Sequence, residues 1–186
     1  MFFIIISLLI IIHILIGVYD FSFYRIPNLF LGVLVVLYAF FAPIYLDSHA
    51  ILSALLVFAV TMAVGYCLYA LKVIGAGDAK YIAVTSLWFG VHGIVPLLFL
   101  ISLAGGILAV LYLVFKDHIG HLSDRIWLKI QKTEENYPKL QNVWIGSGTG
   151  PEKGKRENIG SRMVPYGIAI AAGSIIMLII SPITHL

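Results

Sequence analysis

The chain has 186 residues, 61% hydrophobic and only 11% charged, with a mean hydropathy of +1.02; this excludes an ordinary soluble domain, in which roughly 25% of residues are charged. The net charge of +3 speaks first to membrane orientation and not to nucleic acid, because Lys and Arg in apolar proteins mark cytoplasmic loops. A single cysteine, Cys67, excludes an internal disulfide and a thiolate zinc site.

Residues 2–19 form an unbroken Phe/Ile/Leu-rich run, about 27 Å long as a helix and suited to a hydrocarbon core about 30 Å thick. No Lys or Arg precedes it and no small-residue cleavage pattern follows it, so the sequence predicts a retained span and not a signal peptide. His13 within it reads as a neutral packed side chain more readily than as a proton relay. Asp20 to Asn28 then predict a polar connection. Ile26 precedes a proline, which disfavours helix at that residue, and Pro27-Asn28 suits entry to a second span over 29–46. Taken alone, this is an interfacial turn anchored by Arg25.

Asp47 and Ser48 are expected to cap a third span over 50–71, since short polar side chains accept hydrogen bonds from orphan helix donors. Lys72 closes it. The stretch Gly75-Ala76-Gly77-Asp78-Ala79-Lys80 follows, and its acid is the anomaly of the chain. A carboxylate beside hydrocarbon is costly without a partner or a wet cavity, which makes Asp78 a functional-site candidate. Residues 79–91 give only about 20 Å of mostly apolar helix. The fourth span is therefore expected to be short or partly re-entrant, a form tolerated where it lines a polar cavity.

A fifth span is expected over 94–115, with Gly105-Gly106 as a close-packing or bending point. Residues 116–162 carry most of the charge. Ile119, Leu122, Ile126 and Ile130 recur at helical spacing among His121, Asp124, Arg125, Lys129 and Lys132, predicting an amphipathic helix on the membrane surface. A Gly-, Asn- and Lys-rich loop follows. Its Gly146-Ser147-Gly148-Thr149-Gly150 lacks the spacing of a phosphate-binding loop and no strand precedes it. His118 and His121 lack further ligands for a metal and read as solvated interface residues. The sixth span, 163–183, opens with Val164-Pro165-Tyr166-Gly167. The expected fold is thus an all-α integral membrane protein of six spans, a single domain over 1–186 with a cytoplasmic basic loop over 116–162.

Of the twelve Lys and Arg, Arg25 falls in the first loop, Lys72 and Lys80 in the third, and the rest between Lys116 and Arg162. All lie on one side. Because positive loops stay cytoplasmic, the termini are expected outside and Asp20 and Asp78 both on the cytoplasmic side. Two such acids can bind a cation, relay protons or act together on water. Spacing alone leaves a peptidase and a small ion or proton translocator both open. In the peptidase case two close carboxyls share one proton, so that one takes a proton from water and the other donates it to the substrate.

Three patches add to this reading: Asp20 with Arg25-Ile26-Pro27-Asn28, Gly75-Ala76-Gly77-Asp78-Ala79-Lys80, and Val164-Pro165-Tyr166-Gly167-Ile168-Ala169. Together and in this order, they resemble the prepilin peptidase family, the membrane aspartic peptidases of type IV pilus and type II secretion systems. The chain looks most like the short form without the methyltransferase region, as in tight-adherence pilus and preflagellin peptidases. The resemblance implies that Asp20 and Asp78 are the catalytic pair, with neither metal nor cofactor. It further implies a pilin-like precursor as substrate, cut on the cytoplasmic side of the inner membrane between a short basic leader and a hydrophobic helix. Gly75, Gly77, Lys80, Arg25, Pro27, Asn28, Pro165, Tyr166 and Gly167 become substrate-binding or supporting residues, although Lys80 and Arg25 also suit simple anchoring of the chain to the interface. A presenilin-like intramembrane protease shares the Tyr-Asp and Gly-x-Gly-Asp patterns; Arg25-Ile26-Pro27-Asn28 and the small size favour the prepilin side.

Overall fold

An apolar chain in hydrocarbon must pair every backbone N–H and C=O internally, and a helix does this within one segment. In the computed structural model, which describes residues 2–136 and 165–180 and the side chains of 3–115 and 165–180, helices are the only regular elements among the described residues. They are α1 (Phe2–Phe23), α2 (Asn28–Tyr45) and α3 (Ser48–Ala70), then a helical stretch Ala76–Asn136 broken at Gly90 and Phe115. The breaks divide that stretch into α4 (76–89), α5 (91–114) and α6 (116–136), and α7 (Tyr166–Ile180) follows. Among the described residues four segments are long and apolar enough to cross a membrane: Phe3–Phe23, Asn28–Tyr45, Ser48–Ala70 and Ala76–Phe115; α7 is apolar but shorter.

The 40-residue segment Ala76–Phe115 is not one straight rod. A Cβ at Gly77 would lie 3.4 Å from Ile26, while the Tyr112 and Tyr24 hydroxyls are 3.3 Å apart, so both ends of the segment meet the same short connection after α1. A straight helix would hold residues 77 and 112 about 50 Å apart. The chain therefore doubles back, and between these positions the backbone leaves helical geometry at Gly90, with φ 56° and ψ −160°. That region is open essentially to glycine only. The first arm, α4, spans about 21 Å, which agrees with the short fourth segment read from the sequence. It ends at the Gly90 break, just short of the residue 91 expected, because the torsion there needs a residue without Cβ.

Packing follows from small residues that let backbones approach. A Cβ at Gly17 of α1 would touch Ala171 of α7, and one at Gly65 of α3 would press on Ala79 of α4. A Cβ at Gly173 of α7 would lie 2.8 Å from the backbone nitrogen of Ile101 on α5. The interior is filled by Leu9, Ile16, Leu34, Trp88, Leu97 and Ile170. The outside is apolar too: Phe40, Leu52, Val95 and Leu113 are exposed, as lipid contact requires. Gly105 serves close packing, against the Tyr166 ring, and not bending.

Two boundary expectations change. Asp20 lies inside α1 and not in the connection, since the helix continues to Phe23 and Tyr24 N–H still donates to the Asp20 carbonyl at 2.8 Å. Phe21 and Phe23 are apolar, and the Ser22 hydroxyl bonds back to the Val18 carbonyl, so nothing stops the helix before Tyr24, whose φ is 52°. Asp47 caps α3 as expected, accepting Ala50 N–H at 2.7 Å, whereas Ser48 opens the helix itself. The helix expected in the basic region is seen as α6 up to Asn136; the side chains of His118 and His121, the loop beyond and Val164 lie outside the described residues.

Gly90→Ala is expected to cost about 1–3 kcal/mol through strain at the reversal. Gly106→Ala, with nothing within 4 Å of the new methyl, should be neutral or slightly stabilising. Thermal unfolding of both variants in detergent checks the contrast.

Candidate active site

Each acid owes its position to a helix. Asp20 is in the last turn of α1, on the buried face that also carries Leu9, Ile12, His13 and Ile16, and is only 4% exposed. Asp78 is in the first turn of α4 and half-buried. Asp78 is near enough for its charge to act on Asp20, so α1 and α4 bring these two carboxyls, 58 residues apart in sequence, to one site.

Both acids find their hydrogen-bond donors at helix N-termini, where the first N–H groups have no partner within the helix. Asp20 Oδ2 accepts Gly167 N–H at 2.8 Å, and Ile168 N–H also bonds this carboxyl. These are N–H groups from the first turn of α7. Asp78 accepts the N–H of Gly75, the residue just before its own helix, as the acid of a capping box does. The positive end of a helix dipole favours a carboxylate by about 0.3–2 kcal/mol, most where the site is partly buried. α7 and α4 thus offset part of what burial costs these two groups.

The close approach explains one glycine. A Cβ at position 167 would stand 2.7 Å from Asp20 Oδ2 and 2.8 Å from its Cγ, so no larger residue leaves the hydrogen bond intact. Pro165, buried, lends its carbonyl to Ile168 N–H at 3.3 Å and starts α7 at the required place. Tyr166 turns away onto α5 at Gly105. Gly77 packs on Ile26, and Pro27 is the N-cap residue of α2 with φ −66°. Arg25, Asn28 and Lys80 are exposed on segments that border the same site. The structure therefore brings all three sequence patches to one end of the bundle.

The model of the type IV leader peptidase family matches residues 7–110, more than half of the chain and a stretch that holds both acids. The chain belongs to this family. Comparisons with curated proteins and with solved structures found no match. As a leader peptidase, a type of protease that is aspartic in this family, it has its two candidate acids inside the matched stretch. The Pro165-Tyr166-Gly167 patch lies beyond that stretch and joins the site through the Gly167 to Asp20 hydrogen bond.

Sequence reasoning missed Tyr81, whereas His13 is the packed side chain that was expected, 1% exposed. Tyr81 is fully buried on α4, and its hydroxyl is 2.6 Å from His13 Nδ1. The available signal was spacing: Tyr81 stands three residues after Asp78 and His13 seven before Asp20, positions that share a helix face with the acids.

Gly167→Ala is expected to abolish peptidase activity, because the new methyl collides with the Asp20 carboxyl. Gly32→Ala, where nothing lies within 4 Å, should cleave at the wild-type rate in the same assay.

Proposed function

We propose that this leader peptidase is a membrane aspartic endopeptidase that removes a short basic leader from pilin-like precursors at the cytoplasmic face of the inner membrane, with Asp20 and Asp78 as its catalytic pair. The observation that carries the reading is the approach of buried Asp20 and half-buried Asp78 at the ends of α1 and α4, each under helix N-terminal N–H donors. No other Asp or Glu lies within α1, α2, α3, α5 or α7, which weighs against a pathway of acids through the membrane such as a proton translocator would use.

The chemistry follows from one proton shared between like charges. The ionised carboxyl takes a proton from a water molecule as the water oxygen attacks the scissile carbonyl carbon. The protonated carboxyl gives its proton to the carbonyl oxygen, and a neutral tetrahedral diol results. The diol then collapses: the C–N bond breaks, the amine nitrogen receives a proton from one carboxyl, and a diol hydroxyl returns one to the other. Proton count and charge are restored, and the residues need only hold two oxygens of the pair around the water.

The orientation rests on charge. Arg25, Lys72 and Lys80 flank the ends of α1, α3 and α4 that border the site, and the rest of the Lys and Arg lie between Lys116 and Arg162. Reading those loops as cytoplasmic and counting α4 and α5 as separate arms gives six passages, with α4 too short for the full hydrocarbon thickness and the termini outside. Arg25, Asn28 and Lys80 then rim the entrance, where a precursor's leader meets its hydrophobic helix.

Asp20→Asn and Asp78→Asn should each reduce cleavage of a precursor with a basic leader ahead of a hydrophobic helix by at least about 1,000-fold, the order found when a member of a catalytic unit is removed. Both variants should accumulate in the membrane, and chelation should leave the wild type active. Sealed vesicles test the orientation: added precursor should be cut when the cytoplasmic face is outward and spared when it is inward. Normal cleavage by either variant would refute the pair, and cleavage only from the opposite face would refute the orientation.

A further inference from the structure

Residues Tyr24 to Pro27 join α1 to α2, and each end of this connection is fastened beside one acid. At the first end Tyr24 N–H donates to the Asp20 carbonyl at 2.8 Å, and Tyr24 has φ 52°. This is a helix ending in which a residue in the left-handed region closes the last turn with one hydrogen bond, and glycine is its usual occupant. At the other end Ile26 faces Gly77, the residue before Asp78, where a Cβ would lie 3.4 Å from the Ile26 side chain. Between the two fastenings the chain has little freedom. Ile26 precedes a proline, which disfavours helical geometry there, and Pro27 has its ring-fixed φ of −66°.

Only Tyr24 is out of place on local grounds. A bulky residue at positive φ is an outlier, and it persists where its surroundings over-determine it. The reason stands at the far end of its side chain. The Tyr24 hydroxyl is 3.3 Å from that of Tyr112, a buried residue near the end of α5. Glycine would end α1 with less strain but could not reach α5. In turn α5 packs on α7 at Gly173 and, through Gly105, on Tyr166, beside the Gly167 N–H that holds the Asp20 carboxyl. Asp20 is thus gripped twice, at its side chain by α7 and at its carbonyl by a residue tied to α5.

We propose that the Tyr24 to Pro27 connection is the spacer that sets the separation of the Asp20 and Asp78 carboxyls, with the Tyr24 and Tyr112 hydroxyls as its anchor. Both tyrosines are positioning residues: they act through the backbone of Asp20 and through Ile26 against Gly77. The proposal rests on the catalytic pair proposed above. Loosening the anchor should slow the chemical step, leave precursor binding alone and weaken the repulsion between the two carboxyls.

The experiment is steady-state cleavage, in detergent, of a synthetic precursor with a basic leader ahead of a hydrophobic helix, measured across pH. It compares wild type, Tyr24→Phe, Tyr112→Phe, the double variant and Tyr24→Gly. Each phenylalanine variant keeps its ring and should lower kcat about three- to tenfold, the size of one neutral hydrogen bond, with KM within about twofold of wild type. The double variant should be no slower than the slower single one, because the two hydroxyls act as one unit. In each variant the acid and alkaline limbs of the pH profile should move toward each other by roughly half a pH unit, as about 1 Å of added distance produces between charges about 4 Å apart at an effective dielectric constant of about 20. The other titratable groups around the acids, Arg25, Lys72, Lys80, His13, Tyr81 and Tyr166, are the same in every variant, so a change in the profile reports the pair. Tyr24→Gly ends α1 without strain and should be as slow as Tyr24→Phe or slower; a residue that merely ends a helix predicts full activity there. Thermal unfolding of each variant separates lost rate from lost fold, and should either Tyr24 variant fail to accumulate, Tyr112→Phe decides by the same two readouts. Wild-type kcat in Tyr112→Phe or Tyr24→Gly, or a lowered kcat with the two limbs unmoved, would overturn the proposal and make the tyrosines a structural brace. Full activity in Asp20→Asn or Asp78→Asn would instead remove the catalytic pair itself.

Discussion

The hydrogen bond from Gly167 N–H to Asp20 Oδ2, 2.8 Å long and joining residues 147 apart in sequence, is the constraint on which the rest of the site depends. A carboxyl 4% exposed at the end of an apolar helix needs donors, and α1 has none to give, since its own N–H groups at that end are used within the helix. The donors come from the first turn of α7, where N–H groups are free. This fixes where α7 must begin, why residue 167 is glycine and how closely α1 and α7 approach, a contact continued at Gly17 and Ala171. The same solution recurs at Asp78, served by Gly75 at the start of α4. Two acids at one site are stable here because two helices end their open N–H rows on them.

The reversal at Gly90 is the second element of this arrangement. A continuous helix over Ala76–Phe115 would carry α5 away from the site. Doubling back returns Tyr112 to Tyr24 and sets α5 beside α7, with Ile101 against Gly173 and Gly105 against the ring of Tyr166. α5 therefore buttresses the start of α7, which in turn holds Asp20. The short α4 is a consequence: only the length needed to bury Tyr81, Val84 and Trp88 separates Asp78 from the turn.

Much of this was legible in the sequence, for reasons that can be traced to particular residues. Unbroken apolar runs set the helices, Pro27 and Asp47 set two of the starts, and the short run after Asp78 announced a shortened fourth arm. The one-sided distribution of Lys and Arg assigned both acids to the same side before any contact was known. Asp20 was misread as part of a loop because a charged residue at the end of an apolar run suggests an exit from the membrane; the donors that keep it helical and buried lie 147 residues away. The exact reversal point was hidden because Gly90 and Gly93 both offer a break, and the φ of 56° falls on the first. Tyr81 escaped notice for the same reason as the Gly167 contact: it looks ordinary on its own helix, and its contact with His13 arises only where α1 meets α4.

The proposed reaction needs Asp20 and Asp78 to work as a unit holding one proton between them. The pH dependence of kcat/KM for precursor cleavage by the purified wild-type chain tests it most directly. One shared proton requires a bell-shaped profile, with activity falling on the acid side when both carboxyls are protonated and on the alkaline side when both are ionised; the two limbs belong to the pair and not to either residue. A rate that rises with pH and then stays level, with both carboxyls ionised at the optimum, would contradict the claim.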